Sequence, residues 1–159
     1  MKYPILPAER QWLRKCARER CSQKNLKLSY SGEVYPLSDA LAFRDFVEQF
    51  LKSRGIVLSE AIQHCGLWAF GHVNMHIDNI TPKDHHILMI PVKGTGELAY
   101  MEPSDFHKRD IIASESFITS PIRGANALVF DDHKPHAFIA RSKLCYAILA
   151  PVPNSVFTK

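Results

Sequence analysis

The sequence lacks the long apolar segments that mark membrane proteins and secreted proteins. None of its apolar runs approaches the roughly 20 residues that a transmembrane helix needs. Its first residues, Met-Lys-Tyr-Pro-Ile-Leu-Pro, contain no apolar stretch of the kind found in a secretory signal. We therefore expect no association with a membrane.

Cysteine is also scarce, and its spacing excludes the short paired motifs. The four cysteines are scattered along the chain, and no two of them form a CxxC pair. Isolated free thiols are typical of a reducing compartment. The cysteine pattern therefore predicts a cytoplasmic protein.

No internal repeat, low-complexity tract or long linker interrupts the chain. Its length of 159 residues, with 46% hydrophobic and 23% charged residues, is that of an ordinary globular domain. We expect one domain over residues 1–159, with a helical N-terminal layer over residues 1–55 and a β core over residues 56–159.

Positive charge is concentrated near the N-terminus. Residues 1–30 carry eight lysines or arginines against two glutamates, although the whole chain has a formal net charge of only +4. Arg10, Arg14 and Arg18 recur at helical spacing and would form one basic stripe. Such a stripe is either a solvated helix face or a contact for an acidic partner such as a nucleic acid.

The order of predicted elements favours an α+β fold. The first helix should begin at Pro7 and end near residue 21, and a second should run from the N-cap Ser38 to about Ser53, before Gly55. After Gly55 the sequence consists of short runs rich in β-branched and aromatic residues, which predict strands. The clearest are residues 67–78, 86–92, 97–101, 127–130 and 137–149. Helices followed by strands predict a sandwich or barrel covered by helices. Residues 102–120 give a weak signal that fits a lid, a binding loop or a further strand.

The motif His76-Ile-Asp78 is the first candidate for chemistry. Alternate residues of a strand face the same side, so His76 and Asp78 should point together at a polar strand end. A third ligand can come from the segment that follows the apolar run 127–130, where His136 is favoured over His133 because it lies at the entry to a strand.

The ligand types indicate which metal such a site would hold. Two imidazoles and one carboxylate leave three positions of an octahedral ion open, which is typical of a catalytic non-haem Fe(II) centre. The absence of a thiolate speaks against a zinc–thiolate site, while Mn, Ni and Zn remain open.

Over about residues 67–150 the sequence resembles the 2-oxoglutarate- and Fe(II)-dependent dioxygenases. Their pattern is an HxD motif, a Gly-Glu-Leu-like strand, and a Gly-x5-Phe strand that leads into a distal histidine. The matching elements here are His76-Ile-Asp78, Gly94-Thr-Gly-Glu-Leu-Ala-Tyr100 and Gly124-Ala-Asn-Ala-Leu-Val-Phe130, followed by His136. The resemblance implies a double-stranded β-helix, that is, a jelly-roll or cupin-like barrel, with two N-terminal helices packed against it.

The resemblance also implies 2-oxoglutarate as co-substrate and a basic residue that pairs with its far carboxylate. In the family this residue lies about ten positions beyond the distal histidine, where the present chain has a tyrosine. Lys143 and Arg141 are the nearest basic candidates, and we favour Lys143 as the deeper of the two. Tyr100 is a further candidate, because its hydroxyl can donate to a bound acid.

The sequence thus predicts a dioxygenase that hydroxylates a C–H bond of a protein side chain, a metabolite or a nucleobase. One alternative is a cupin-like metalloprotein that does not use 2-oxoglutarate, although Asp78 stands where the second histidine of a cupin HxH motif would be. Another is a catalytically silent binding module that uses the basic helix.

Overall fold

The computed structural model describes residues 1–21, 33–34, 40–78, 81–102 and 118–157. Within these ranges the chain forms two α-helices, ten strands and a terminal 3-10 helix. The helices are α1 (Pro7–Arg20) and α2 (Ala40–Lys52). The strands are β1 (Lys2–Pro4), β2 (Glu33–Val34), β3 (Gly66–Phe70), β4 (His72–His76), β5 (His85–Lys93), β6 (Gly96–Tyr100), β7 (Ile118–Ile122), β8 (Asn126–Phe130), β9 (His136–Ala140) and β10 (Cys145–Pro153).

Both predicted helices are present and form an outer layer. Helix α1 begins at Pro7, and the Glu9 carboxylate accepts the backbone N–H of Leu6 across its first turn at 2.9 Å. Trp12 of α1 stacks on Phe46 of α2, with ring centroids 4.0 Å apart. Neither helix is both long enough and apolar enough to cross a membrane. The predicted N-cap Ser38 lies outside the described residues.

The strands form two antiparallel sheets. The larger has the order β1-β8-β5-β10-β3-β2, and the smaller has the order β4-β9-β6-β7. From β3 to β6 the chain changes sheet at every strand, and it does so again from β7 to β10. This alternating course is that of a double-stranded β-helix, so the predicted α+β fold with a cupin-like barrel is confirmed.

The side chains of β10 alternate between two apolar clusters, one on each side of the larger sheet. Cys145 and Ala147 belong to an apolar cluster that joins residues of both sheets, so they face the barrel interior. Tyr146 and Ile148 belong to the cluster that contains the buried residues of α1 and α2. The larger sheet therefore carries the helices on its outside and the barrel core on its inside.

Several predicted boundaries are wrong because the chain turns corners between sheets. The run over residues 67–78 is two strands, β3 and β4, which separate at Gly71 and join different sheets. The run over residues 137–149 is likewise divided into β9 and β10. Strands β1 and β2 were not predicted, and they show that residues 1–55 contribute to the larger sheet as well as to the helical layer. Residues 118–120 of the weak stretch 102–120 belong to β7, which is one of the alternatives that the sequence left open.

Candidate metal centre

Three neighbouring strands of the smaller sheet bring polar rings to one edge of the barrel. His136 is the first residue of β9, which lies between β4 and β6. It stands directly opposite His76, the last residue of β4, and opposite Tyr100, the last residue of β6. Residues directly opposite each other in a sheet share a face, so these side chains are neighbours.

A β-bulge explains why His76 faces inward. Val73 of β4 is buried in the barrel core opposite Phe138, whereas His72 and Asn74 are exposed. Simple alternation from Val73 would turn His76 outward. The register of β4 against β9 shifts between Val73 and His76, and the extra residue turns His76 back to the inner face.

Asp78 completes the site from just beyond the end of β4. Its Oδ2 lies 3.2 Å from Nε2 of His136, and its Oδ1 lies 3.4 Å from Nε2 of His76. One ligand atom from each of the three residues lies within 4.8 Å of the other two, and we call this group the His–Asp–His triad. The predicted convergence of the three residues is therefore present in the structure.

Backbone carbonyls orient both imidazole rings of the triad. Nδ1 of His76 lies 2.7 Å from the carbonyl oxygen of Asn74, and Nδ1 of His136 lies 2.8 Å from that of Lys134. Because a carbonyl only accepts, each Nδ1 must carry the proton and each Nε2 can present a lone pair. A hydrogen bond from the second ring nitrogen to a carbonyl is the usual support of a metal-ligating histidine.

The burial of the triad is uneven, which leaves one side of it accessible. His136 is only 1% exposed, whereas the side chain of Asp78 is 42% exposed. Nε2 of His136 is buried without a hydrogen-bond partner, which is costly unless a cation or proton satisfies it. Burial alone would raise the pKa of Asp78, but hydrogen bonds from the His136 and His76 rings, when Nε2 of each carries a proton, outweigh it and lower that pKa. An ionised carboxylate beside two Nε2 atoms fits a divalent cation.

His133, the alternative third ligand, is engaged elsewhere. Its Nδ1 lies 3.0 Å from Oδ1 of Asp131, and its Nε2 lies 2.8 Å from the carbonyl oxygen of Thr81. With Asp132 it forms a second group of close ligand atoms. Because both ring nitrogens of His133 are occupied, the geometry favours His136 over His133 in the triad.

A cavity of about 230 Å³ opens beside His136. Its wall is mostly apolar and includes Leu98, Leu128 and Phe130. Tyr100 and Ser120 supply hydroxyl groups to the same wall, and its charged members are Glu102, Asp131 and Lys134. Of the three triad residues His136 lines this cavity, so a small molecule held there would contact the triad through His136.

The two predicted anchors lie away from this cavity. Arg141 and Lys143 occupy the turn between β9 and β10, both are exposed, and neither lines the cavity. Arg141 instead pairs with Glu97, with Nη2 3.0 Å from Oε2. The structure does not bring either residue to the triad, and their anchor role stays a prediction. Tyr100, the third candidate, does line the cavity.

Sequence reasoning missed the contribution of Asp132. Its backbone carbonyl accepts the N–H of Asp78 at 2.9 Å. Its carboxylate is 1% exposed without a hydrogen-bond partner, and burial raises its pKa. The pair Asp131-Asp132 after an apolar strand indicates a turn, but nothing in the sequence predicts its contact with Asp78.

Comparison with known proteins supports the fold. No protein-family model matches the chain, and no curated protein sequence matches it. Among solved structures, a prolyl-4-hydroxylase from Pseudomonas putida is similar at a TM-score of 0.53 and 13% identity, over 95% of this chain and 90% of that one. The CENP-C cupin domain from Drosophila melanogaster is similar at 0.45 and 9%, over 92% and 97%.

A vicilin from Corylus avellana is similar at a TM-score of 0.44 and 11% identity, over 84% of this chain. The chain spans 32% of the vicilin but most of the other two structures. At identities this low, the likeness concerns the fold alone.

Proposed function

We propose that the chain is a mononuclear non-haem Fe(II) oxygenase that uses 2-oxoglutarate to hydroxylate a C–H bond. The observation that carries the proposal is the His–Asp–His triad, in which two Nε2 atoms and one carboxylate converge at the mouth of the barrel. His76, Asp78 and His136 would hold Fe(II), and two imidazoles with one carboxylate are a ligand set that this ion takes in catalytic sites. When bound, the metal and 2-oxoglutarate supply the oxidising chemistry.

The protein contributes by orienting the two imidazole rings of the triad and by excluding water. The carbonyls of Asn74 and Lys134 fix the two rings, so little reorganisation is needed when a cation arrives. The apolar residues of the cavity wall would limit the access of water to the His136 side of the triad. Tyr100 offers a hydroxyl that can donate to the carboxylate of an acid held there. The C–H bond would belong to a protein side chain, a small metabolite or a nucleobase.

The placement of the basic residues favours a second candidate, a cupin-like metalloprotein without 2-oxoglutarate. In the described part of the chain, Asp132 and His136 are the buried charged or polar residues, and no lysine or arginine is buried with them. Because an unpaired buried carboxylate is costly, the far end of 2-oxoglutarate would need a cation that moves inward on binding. Arg141, Lys143 and Lys134, of which Lys134 lines the cavity, are all exposed, so one of them would have to do so.

Consumption of 2-oxoglutarate without a substrate separates the two candidates. The protein would be loaded anaerobically with Fe(II), exposed to oxygen, and the loss of 2-oxoglutarate followed over time. We expect slow consumption that requires Fe(II) and is absent from the Asp78→Ala protein. Fe(II) binding without consumption or binding of 2-oxoglutarate would favour the cupin-like candidate. Absence of any metal binding would favour the third possibility, a catalytically silent binding module.

A further inference from the structure

A single turn contacts both segments that carry the triad. The turn is formed by residues 131–134, between β8 and β9. The carbonyl of Asp132 accepts the backbone N–H of Asp78 at 2.9 Å. The carbonyl of Lys134 accepts Nδ1–H of His136 at 2.8 Å. The position of this turn therefore sets the spacing between Asp78 and His136.

His133 fastens this turn to the chain that follows Asp78. Its Nε2 donates to the carbonyl of Thr81 at 2.8 Å, since a carbonyl only accepts. Its Nδ1 lies 3.0 Å from Oδ1 of Asp131 and 3.5 Å from Oδ1 of Asp132. A nitrogen that faces two carboxylate oxygens is best satisfied when it too carries a proton. The His133 ring therefore links the turn to the segment that contains Thr81, with one hydrogen bond on each ring nitrogen.

We propose that His133 is a positioning residue for the metal centre, which holds Asp78 and His136 at the spacing that a cation needs. The inference rests on the proposed function, because it assumes that the triad binds a metal. It assigns His133 a role that differs from ligation. Without its bond to Thr81, the turn is free to shift relative to the segment that follows β4, and the carbonyls that hold Asp78 and His136 shift with it.

Buried charge explains why the position of the ring matters. The carboxylate of Asp132 is 1% exposed, and its Oδ1 lies 3.5 Å from Nδ1 of the His133 ring. A buried carboxylate that loses a polar neighbour is left poorly satisfied unless it shifts toward another partner. Removal of the imidazole should therefore displace Asp132, whose backbone holds Asp78.

The test measures Mn(II) affinity in variants that remain folded. The variants are His133→Ala and His133→Gln, where the glutamine amide can still donate to the Thr81 carbonyl but carries no charge. His85→Ala is a matched control, because the His85 side chain is 25% exposed against 23% for His133 and bonds an aspartate, its neighbour Asp84. Mn(II) binding would be followed by electron paramagnetic resonance, and folding by circular dichroism and melting temperature.

We expect the Mn(II) dissociation constant to rise about 10- to 100-fold in His133→Ala, the range found when groups that support metal ligands are removed. The His133→Gln protein should show a smaller rise, and His85→Ala should bind as the wild type does. Unchanged affinity in folded His133→Ala, or in His133→Gln if the alanine protein does not fold, would overturn the inference. Failure of the wild type to bind Mn(II) or Fe(II) would instead overturn the proposed function.

Discussion

Replacement of Asp78 or His136 by alanine removes a triad ligand in each case, but the two changes should affect the fold very differently. The His136 ring is 1% exposed and packs against Phe130 and Phe138, with ring centroids 5.2 and 5.8 Å away. The Asp78 side chain is 42% exposed and contacts polar rings instead. Both proteins should lose the metal, whereas only one should lose much stability.

The expected magnitudes follow from burial. Deletion of a large buried side chain costs roughly 2–5 kcal/mol, since it removes packing and leaves a cavity. A half-exposed carboxylate in contact with imidazoles contributes about 0–1 kcal/mol, because solvent screens the interaction. For a protein of this size, a loss of about 3 kcal/mol lowers the melting temperature by roughly 6–12 °C. The change for Asp78→Ala should be about 4 °C or less on the same scale.

The assay compares metal-free proteins and then adds metal. Urea unfolding of the apo forms gives the free energy of unfolding, and a Mn(II) titration gives affinity. We expect His136→Ala to be less stable than Asp78→Ala by at least about 1 kcal/mol, with neither variant binding Mn(II) stoichiometrically. Equal destabilisation, or a strongly unstable Asp78→Ala protein, would refute the burial argument. Normal metal binding by either variant would refute its role as a ligand.

Further predictions concern stability, reactivity, pH and partners. Arg54→Ala should lower the free energy of unfolding by about 3–5 kcal/mol in urea, because it leaves the Glu9 carboxylate, 2.7 Å from the guanidinium and 11% exposed, without its partner. Cys21, Cys65 and Cys145 should resist a thiol reagent until the protein unfolds, because burial raises the pKa of each to about 12. Mn(II) affinity should fall in acid, because a metal ion binds deprotonated ligands, and a flat pH profile would argue against ligation by titratable side chains. If the basic stripe of α1 binds nucleic acid through three phosphates, a plot of the logarithm of the binding constant against the logarithm of the salt concentration should have a slope of about −3. Salt-independent binding would contradict this hypothesis.

The sequence predicted the classes of element well and their connections less well. The helical spacing located both helices, because an amphipathic stripe is a local property. The corner at Gly71 was missed, because an apolar run gives no sign that its two halves join different sheets. Strands β1 and β2 are only three and two residues long, too short for a periodic signal.

The triad residues were predicted from the HxD motif and the family resemblance, but the backbone conformation that brings them together was not predicted. Simple strand alternation does not place His76 beside Asp78, because β4 ends at His76 and a bulge turns that residue inward. The support of the triad by Asp132 and Thr81 depends on contacts between distant parts of the chain, which a single sequence does not encode in any local pattern. The roles of Lys143 and Arg141 depended on their depth in the barrel, and strand parity does not determine depth.

The most direct test of the central claim is an anaerobic titration of the metal-free protein with Fe(II), read as the number of ions bound per chain. The His–Asp–His triad predicts one tightly bound ion in the wild type. It predicts none in Asp78→Ala, whose fold should be intact by circular dichroism. No stoichiometric binding by the wild type, or the same binding in Asp78→Ala, would contradict the assignment of this site as a metal centre.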